Sequence, residues 1–272
     1  MVNSDGLLLG KHTPVVEVYS PEILYPIPRS IARQGLGIVN ELPFFGVDLW
    51  HAYELSWLDG TGKPVSRVGR FTVPATSPCI VESKSFKLYI NSLNNTRFEN
   101  DSAVKKCIER DIGAAAGETV SLELFEVDDP SLSGKPLSGI NLDRCEPGTT
   151  AAEPDAGLLS VHAGTVTEEQ LYSHLLRSLC PVTGQPDWAT LWLHYRGAGI
   201  DHDALLAYII SYRQHQEYHE QCVERMFLDI TASCQPEFLH IQAFYTRRGG
   251  LDINPFRSTS SSTRALPRLN RQ

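Results

Sequence analysis

Residues 119–127, Thr-Val-Ser-Leu-Glu-Leu-Phe-Glu-Val, alternate apolar and polar side chains, the period of a half-buried strand. The stretch 237–246 is rich in β-formers and reads the same way, as do 48–58 and 188–197, each carrying Leu-Trp with a nearby His and Tyr. Helical spacing appears elsewhere. Val104, Cys107, Ile108 and Ile112 form one stripe of a helix over about 100–114. From His202 to Ile230 the pattern predicts two helices broken near Arg213–Gln216. A further helix is expected over 167–179, opened by a capping box of Thr167 and Gln170, with Leu171, Leu175 and Leu179 on one face. Residues 82–89, Glu-Ser-Lys-Ser-Phe-Lys-Leu-Tyr, read as a strand. Glu82, Lys84 and Phe86 would share one face, and Ser83, Ser85 and Lys87 the other.

These elements repeat. Leu-Tyr-Ile-Asn-Ser (88–92) precedes Cys107-Ile-Glu-Arg, and Ala-Tyr-Ile-Ile-Ser (207–211) precedes Cys222-Val-Glu-Arg, each followed by a strand-like segment. Ordered matches of this kind indicate two copies of a unit of roughly 115–120 residues, strands then helix then strand. The Pro/Gly/Ser-rich stretch 128–157 reads as the linker between modules 1–127 and 158–256, and the polar, basic end 257–272 as a mobile tail.

Composition narrows the class. In 272 residues, 42% hydrophobic and 21% charged, there is material for a substantial core. A net charge of −8 and a pI near 5.6 disfavour a nucleic-acid or anionic-membrane binder. Six dispersed cysteines without a Cys-x-x-Cys pair suggest reduced thiols. The start lacks a signal-peptide apolar run, and no stretch approaches about 18 apolar residues, so a cytoplasmic, membrane-free protein is expected. The run Gly-Leu-Leu-Leu-Gly-Lys-His (6–12) has the wrong spacing for a phosphate loop, and no Gly-x-Gly-x-x-Gly follows a strand.

Candidate chemistry concentrates where the copies differ. The second copy alone holds Cys180 and Asp187, flanking a Pro-Gly-Pro turn, where the thiol serves either packing or chemistry. It also holds His219, Glu220 and Cys222. With Cys180, His219 and Cys222 make a zinc-compatible set, although Cys222 has an apparent counterpart in Cys107 and so reads as scaffold rather than ligand. The turn Arg247-Arg248-Gly249-Gly250 suits a phosphate site or a plain glycine turn.

Four of these stretches, Glu82–Tyr89, Leu179–Leu191, His219–Cys222 and Tyr245–Pro255, resemble signatures of the NADPH-dependent nitrile reductases. Those enzymes convert 7-cyano-7-deazaguanine to 7-aminomethyl-7-deazaguanine on the route to the queuosine of tRNA. The resemblance spans nearly the whole chain in the order of the long, two-module form. It implies an α+β tunnelling fold, each module an antiparallel sheet with two helices on one face, closing into a barrel in a homodimer. It also implies Cys180 as covalent nucleophile, Asp187 as proton donor and His219 as an aid to later proton movement. Val81, Glu82, Ser83, His219 and Glu220 would contact the substrate. Ser83, Lys84, Lys87, Arg248 and Gly249 would hold NADPH, with no metal and no RNA surface required. Because the expected helix over 167–179 would end at Cys180, its negative C-terminus would oppose a thiolate there, and another group would have to compensate. A zinc-dependent, GTP-cyclohydrolase-like hydrolase of the same fold is the alternative.

Overall fold

A computed structural model describes residues 16–272, so the run at 6–12 lies outside the described residues. The chain forms two compact units. Of the described residues, the first comprises 16–42, Val47–Leu132 and Arg247–Ile253, and the second Pro43–Gly46, Ser133–Thr246 and Asn254–Gln272.

In chain order the elements up to Leu132 are β1 (Pro26–Pro28), α1 (Arg29–Gly35), β2 (Phe45–Leu58), β3 (Pro64–Pro74), β4 (Cys79–Val81), α2 (Ser83–Ser92), α3 (Asp101–Ala116) and β5 (Ser121–Phe125). Strands β2, β3 and β5 pair antiparallel, and β1 pairs with β4. Sheet residues Trp50, Phe71 and Leu122 pack against Phe86 and Tyr89 of α2 and Ile108 and Ile112 of α3. The Phe86 ring lies 5.0 Å from Trp50 and 5.1 Å from Phe71, within the range of favourable aromatic pairs.

The remaining elements are β6 (Ile140–Asn141), β7 (Val161–Ser173), β8 (Arg177–Leu179), β9 (Pro186–Ile200), α4 (His202–Ser211), α5 (His219–Cys234), β10 (Phe238–Tyr245) and β11 (Leu251–Ser258). Here β7, β9, β10 and β11 run antiparallel in that order, β6 joins β7 in parallel, and β8 pairs with the start of β9. The protein is therefore α+β, as expected. None of the described helices is long and apolar enough to cross a membrane.

The repeat is visible in the elements. α2 and α4 each span 10 residues, α3 and α5 each 16, and the longer helices end in left-handed caps at Gly117 and Gln235. Inside each copy a tyrosine of the short helix donates to an aspartate of the long one, Tyr89 to Asp111 at 2.7 Å and Tyr208 to Asp229 at 2.6 Å. Aligning those caps places Asp229 on Asp111 but Cys222 on Val104, and Cys107 on Arg225. The matching of Cys107 with Cys222 is thus a coincidence of sequence, three residues out of structural register.

Four expectations are corrected. Residues 82–89 begin a helix, not a strand. Glu82 caps α2, its carboxylate accepting from the backbone N–H groups of Lys84 (2.9 Å) and Ser85 (2.7 Å), and the buried Phe86, Tyr89, Ile90 and Leu93 have helical spacing. Residues 167–173 and 177–179 are strands joined by a short turn, not a helix. Ten-residue pairing of β7 with β9 overrides their helical propensity, and Leu171 is buried while Leu175 is 38% exposed. Part of the 128–157 stretch belongs to the second unit, where β6 adds to the sheet and Leu142 is fully buried. The end 257–272 is not a free tail. It starts inside β11, and Leu266 and Leu269 pack with Trp192 and Phe244.

Candidate active site

Cys180 directly follows β8, so it does not sit at a helix C-terminus, and the electrostatic objection to a thiolate there is removed. β8 and β9 form a hairpin with Arg177 opposite Trp188, Ser178 opposite Asp187 and Leu179 opposite Pro186. Two backbone bonds extend it, Cys180 N–H to Gln185 O and Gly184 N–H to Cys180 O, both 2.9 Å. Gly184, at φ 67°, takes the left-handed position that closes the four-residue loop. Side chains two residues apart on a strand share a face. Ser178 and Cys180 therefore lie on the same face as their partners Asp187 and Gln185. Cys180 and Asp187 become diagonal neighbours, whose Cα atoms are about 7–8 Å apart in such ladders. Both are buried, 3% and 7% exposed.

The other edge of β8 is held by the approach to α5. Leu179 donates to His215 O at 2.8 Å, and Glu217 N–H donates to Leu179 O at 3.2 Å. The chain then enters α5 at His219, whose Nε2 lies 3.3 Å from Asp187 Oδ2. The imidazole stacks on the Tyr245 ring, centroids 3.6 Å apart and 6° from parallel, while its Nδ1 is buried with no hydrogen-bond partner. Glu220, 3% exposed, occupies the first turn of α5, where the helix dipole favours a carboxylate. One unit thus holds Cys180, Asp187, His219 and Glu220, with His219 against Asp187.

Sequence reasoning gave Tyr245 no role at the site, although it opens the Tyr245–Pro255 stretch. Cys222, by contrast, is fully buried, and that burial pushes its thiol well up, with the charge of Glu217 adding to the effect. Among the described residues no three His, Cys, Asp or Glu side chains are grouped as a metal site.

The segment that braces β8 carries its own network. Arg225 donates to both oxygens of Glu217 (2.8 and 3.1 Å), and His215 Nε2 lies 3.0 Å from Glu217 Oε2. The hydrogen bond with Glu217 raises the His215 pKa above its ordinary 6.5, against the opposing effect of burial. Since the folded-state value exceeds the unfolded one, this contribution to stability is complete below pH about 6.5 and fades as pH rises through the folded value. Thermal melts should show the midpoint falling between about pH 6 and pH 8, and His215→Gln should flatten that slope. An unchanged slope in the variant would remove His215 from this role.

The remaining candidates lie in the first unit. Val81 ends β4, and Glu82, 1% exposed, caps α2, with Ser83 and Lys84 opening that helix. Lys87, one turn on, meets the Gly249-Gly250 turn although 162 residues separate them (249 − 87): a Cβ on Gly249 would lie 3.5 Å from Lys87 Nζ. Both glycines have positive φ, 61° and 80°, and reciprocal backbone bonds between Arg248 and Leu251 close the turn. Arg248 is exposed on it. A cleft of about 100 Å³ opens here, lined by residues including Lys87, Asn91, Gly249 and Gly250. An ammonium beside side-chain-free backbone fits a phosphate-bearing group.

A family model described as nitrile reductase, 7-cyano-7-deazaguanine-reductase N-term, matches residues 15–124, and one described as QueF-like protein matches residues 186–264. The NADPH-dependent 7-cyano-7-deazaguanine reductase of Dechloromonas aromatica is 55% identical over 258 residues, covering 92% of this chain and 89% of its own. That of Burkholderia vietnamiensis is 52% identical over 259 residues, covering 94% of each. A solved archaeosine synthase QueF-Like in the apo form matches 38% of this chain and 100% of its own at 16% identity and a TM-score of 0.31. Relatives this similar over nearly the full length, together with both family models, settle the affiliation: the chain belongs to the family of NADPH-dependent 7-cyano-7-deazaguanine reductases.

Proposed function

We propose that this protein reduces the nitrile of 7-cyano-7-deazaguanine to the aminomethyl group of 7-aminomethyl-7-deazaguanine through a covalent thioimide on Cys180, in queuosine biosynthesis. The hairpin that turns Cys180 and Asp187 to one face, with His219 against Asp187, is the observation that carries this reading.

A nitrile carbon is electrophilic, and a thiolate adds to it. Cys180 Sγ forms a bond to that carbon while Asp187 delivers a proton to the nitrogen, giving the thioimide. NADPH, when bound, supplies a hydride, and two are needed per nitrile for four electrons. After the first reduction the C–S bond breaks, the sulfur leaves as thiolate and an imine remains for the second. His219, 3.3 Å from Asp187, is placed to return a proton to that carboxylate and so reset it. The stack on Tyr245 fixes the imidazole plane for this transfer.

Glu220 and Glu82 suit the pyrimidine edge of a deazaguanine, whose adjacent N–H groups donate in one plane to a carboxylate. Glu82 already accepts two backbone N–H groups, and a carboxylate has about four acceptor sites, so two remain for the base. Val81 and Ser83 flank it on the chain. Ser83, Lys84, Lys87, Arg248 and Gly249 are the groups we assign to the cofactor. The substrate is a free base, so no nucleic-acid surface is invoked. Two chains pairing as a homodimer, with their sheets closing into a barrel, is the assembly we infer for the two-module form, with the module boundary within 128–157. The zinc-dependent hydrolase reading finds no support among the relatives.

Purified protein mixed with 7-cyano-7-deazaguanine and NADPH should oxidise two NADPH for each amine formed. A ratio near one would sink the sequence of steps.

A further inference from the structure

The pairing of β2 with β3 shifts between Ala52↔Gly69 and Leu55↔Arg67, so Tyr53 and Glu54 together oppose the single residue Val68. This is a β-bulge, a device that re-aims side chains. Here it aims two of them at the Gly249-Gly250 turn. Tyr53 N–H donates to Gly250 O at 2.9 Å, its hydroxyl to Asp252 at 2.6 Å, and the Arg247 guanidinium sits 3.4 Å from its ring centroid. Glu54 runs along the glycines, where a Cβ on Gly250 would fall 2.5 Å from its carboxyl carbon. Its Oε2 ends 3.1 Å from Lys87 Nζ, and both side chains line the same cleft. A site for an anionic cofactor thus contains a carboxylate on its own lysine.

We propose that Glu54 is a built-in competitor of the cofactor, holding Lys87 when no cofactor is bound and yielding it to a phosphate group when one arrives. The proposal rests on the assignment of Lys87 to the cofactor. Carboxylate and phosphate compete for one ammonium, so Glu54 weakens the binding of reduced and oxidised cofactor alike. The four-electron reduction makes this useful: spent NADP⁺ must leave and fresh NADPH enter once per nitrile while the half-reduced substrate stays in the site. Lys87 and Glu54 are partly exposed, 43% and 62% at the side chain, so the competition is mild and readily reversed.

The test compares Glu54→Gln, Glu54→Asp and Lys87→Met in steady-state assays, with NADP⁺ as product inhibitor. Exposed ion pairs of this kind contribute up to about 1 kcal/mol, so Glu54→Gln should lower both the KM for NADPH and the inhibition constant of NADP⁺ by about two- to fivefold. Added salt should shrink the difference, and Glu54→Asp, which keeps the charge, should stay near the parent values. Values unchanged or raised in Glu54→Gln, while Lys87→Met raises the KM, would overturn the proposal and make Glu54 a brace of the bulge. If Lys87→Met leaves the KM unaltered, the assignment of Lys87 to the cofactor fails instead.

Discussion

Cys180→Ala should oxidise no NADPH above background in the presence of the nitrile and should form no covalent adduct. The side chain removed is the only one in the proposed sequence that bonds to carbon, so no partial route survives its loss. The fold should tolerate the change. Cys180 is 3% exposed, but its backbone, which carries the hairpin bonds to Gln185 and Gly184, is untouched, and truncating a small side chain costs about 1 kcal/mol. The other thiols cannot substitute. Burial raises Cys79, Cys107, Cys145 and Cys222, and pushes Cys234 up to about 11, which keeps them protonated near neutral pH. Residual turnover at even a few per cent of the parent rate would mean that addition of sulfur is not obligatory. Circular dichroism and the thermal midpoint would separate this result from misfolding.

Asp187→Asn should slow thioimide formation by about two to four orders of magnitude, the range associated with a positioned proton donor. The substitution preserves size and one acceptor oxygen, so the approach of His219 Nε2 at 3.3 Å and the pairing of residue 187 with Ser178 should persist. What it removes is the ability to carry a proton to the nitrile nitrogen. Stopped-flow observation of the adduct isolates that step from hydride transfer. A rate within threefold of the parent would take Asp187 out of the acid role and point to His219 or a water. A fast first step with slow turnover would instead move Asp187 to imine reduction.

Strands β2, β5, β9 and β10, the long helices α3 and α5 and the break between α4 and α5 followed from the apolar pattern, because their stripes are long enough to be unambiguous. Two errors had different causes. Residues 82–89 were short enough to fit either period, and the deciding apolar positions, Ile90 and Leu93, lay just beyond them. Residues 167–179 have leucines at helical spacing, yet the partner strand β9 lies elsewhere in the sequence, and no local signal announces such pairing. That second error mattered for the site, since it placed the negative end of a helix beside Cys180 where the structure has a hairpin.

Of the candidate residues, Cys180, Asp187, His219 and Glu220 could be gathered from motifs, but their shared geometry could not. It depends on β8 being held on both edges, by pairing with β9 and by the bonds of Leu179 to the 215–217 segment. Tyr245 under His219 and Glu54 against Lys87 were invisible in sequence for the same reason: each contact joins residues far apart in the chain.

The central claim is a carbon–sulfur bond at Cys180, and it can be examined without hydride transfer. Incubating the protein with 7-cyano-7-deazaguanine alone, followed by intact-mass measurement and peptide mapping, should show one substrate mass added per chain, located on Cys180, and discharged as amine when NADPH is supplied. An adduct on any other cysteine, or full turnover by a protein that never acquires one, would contradict the account.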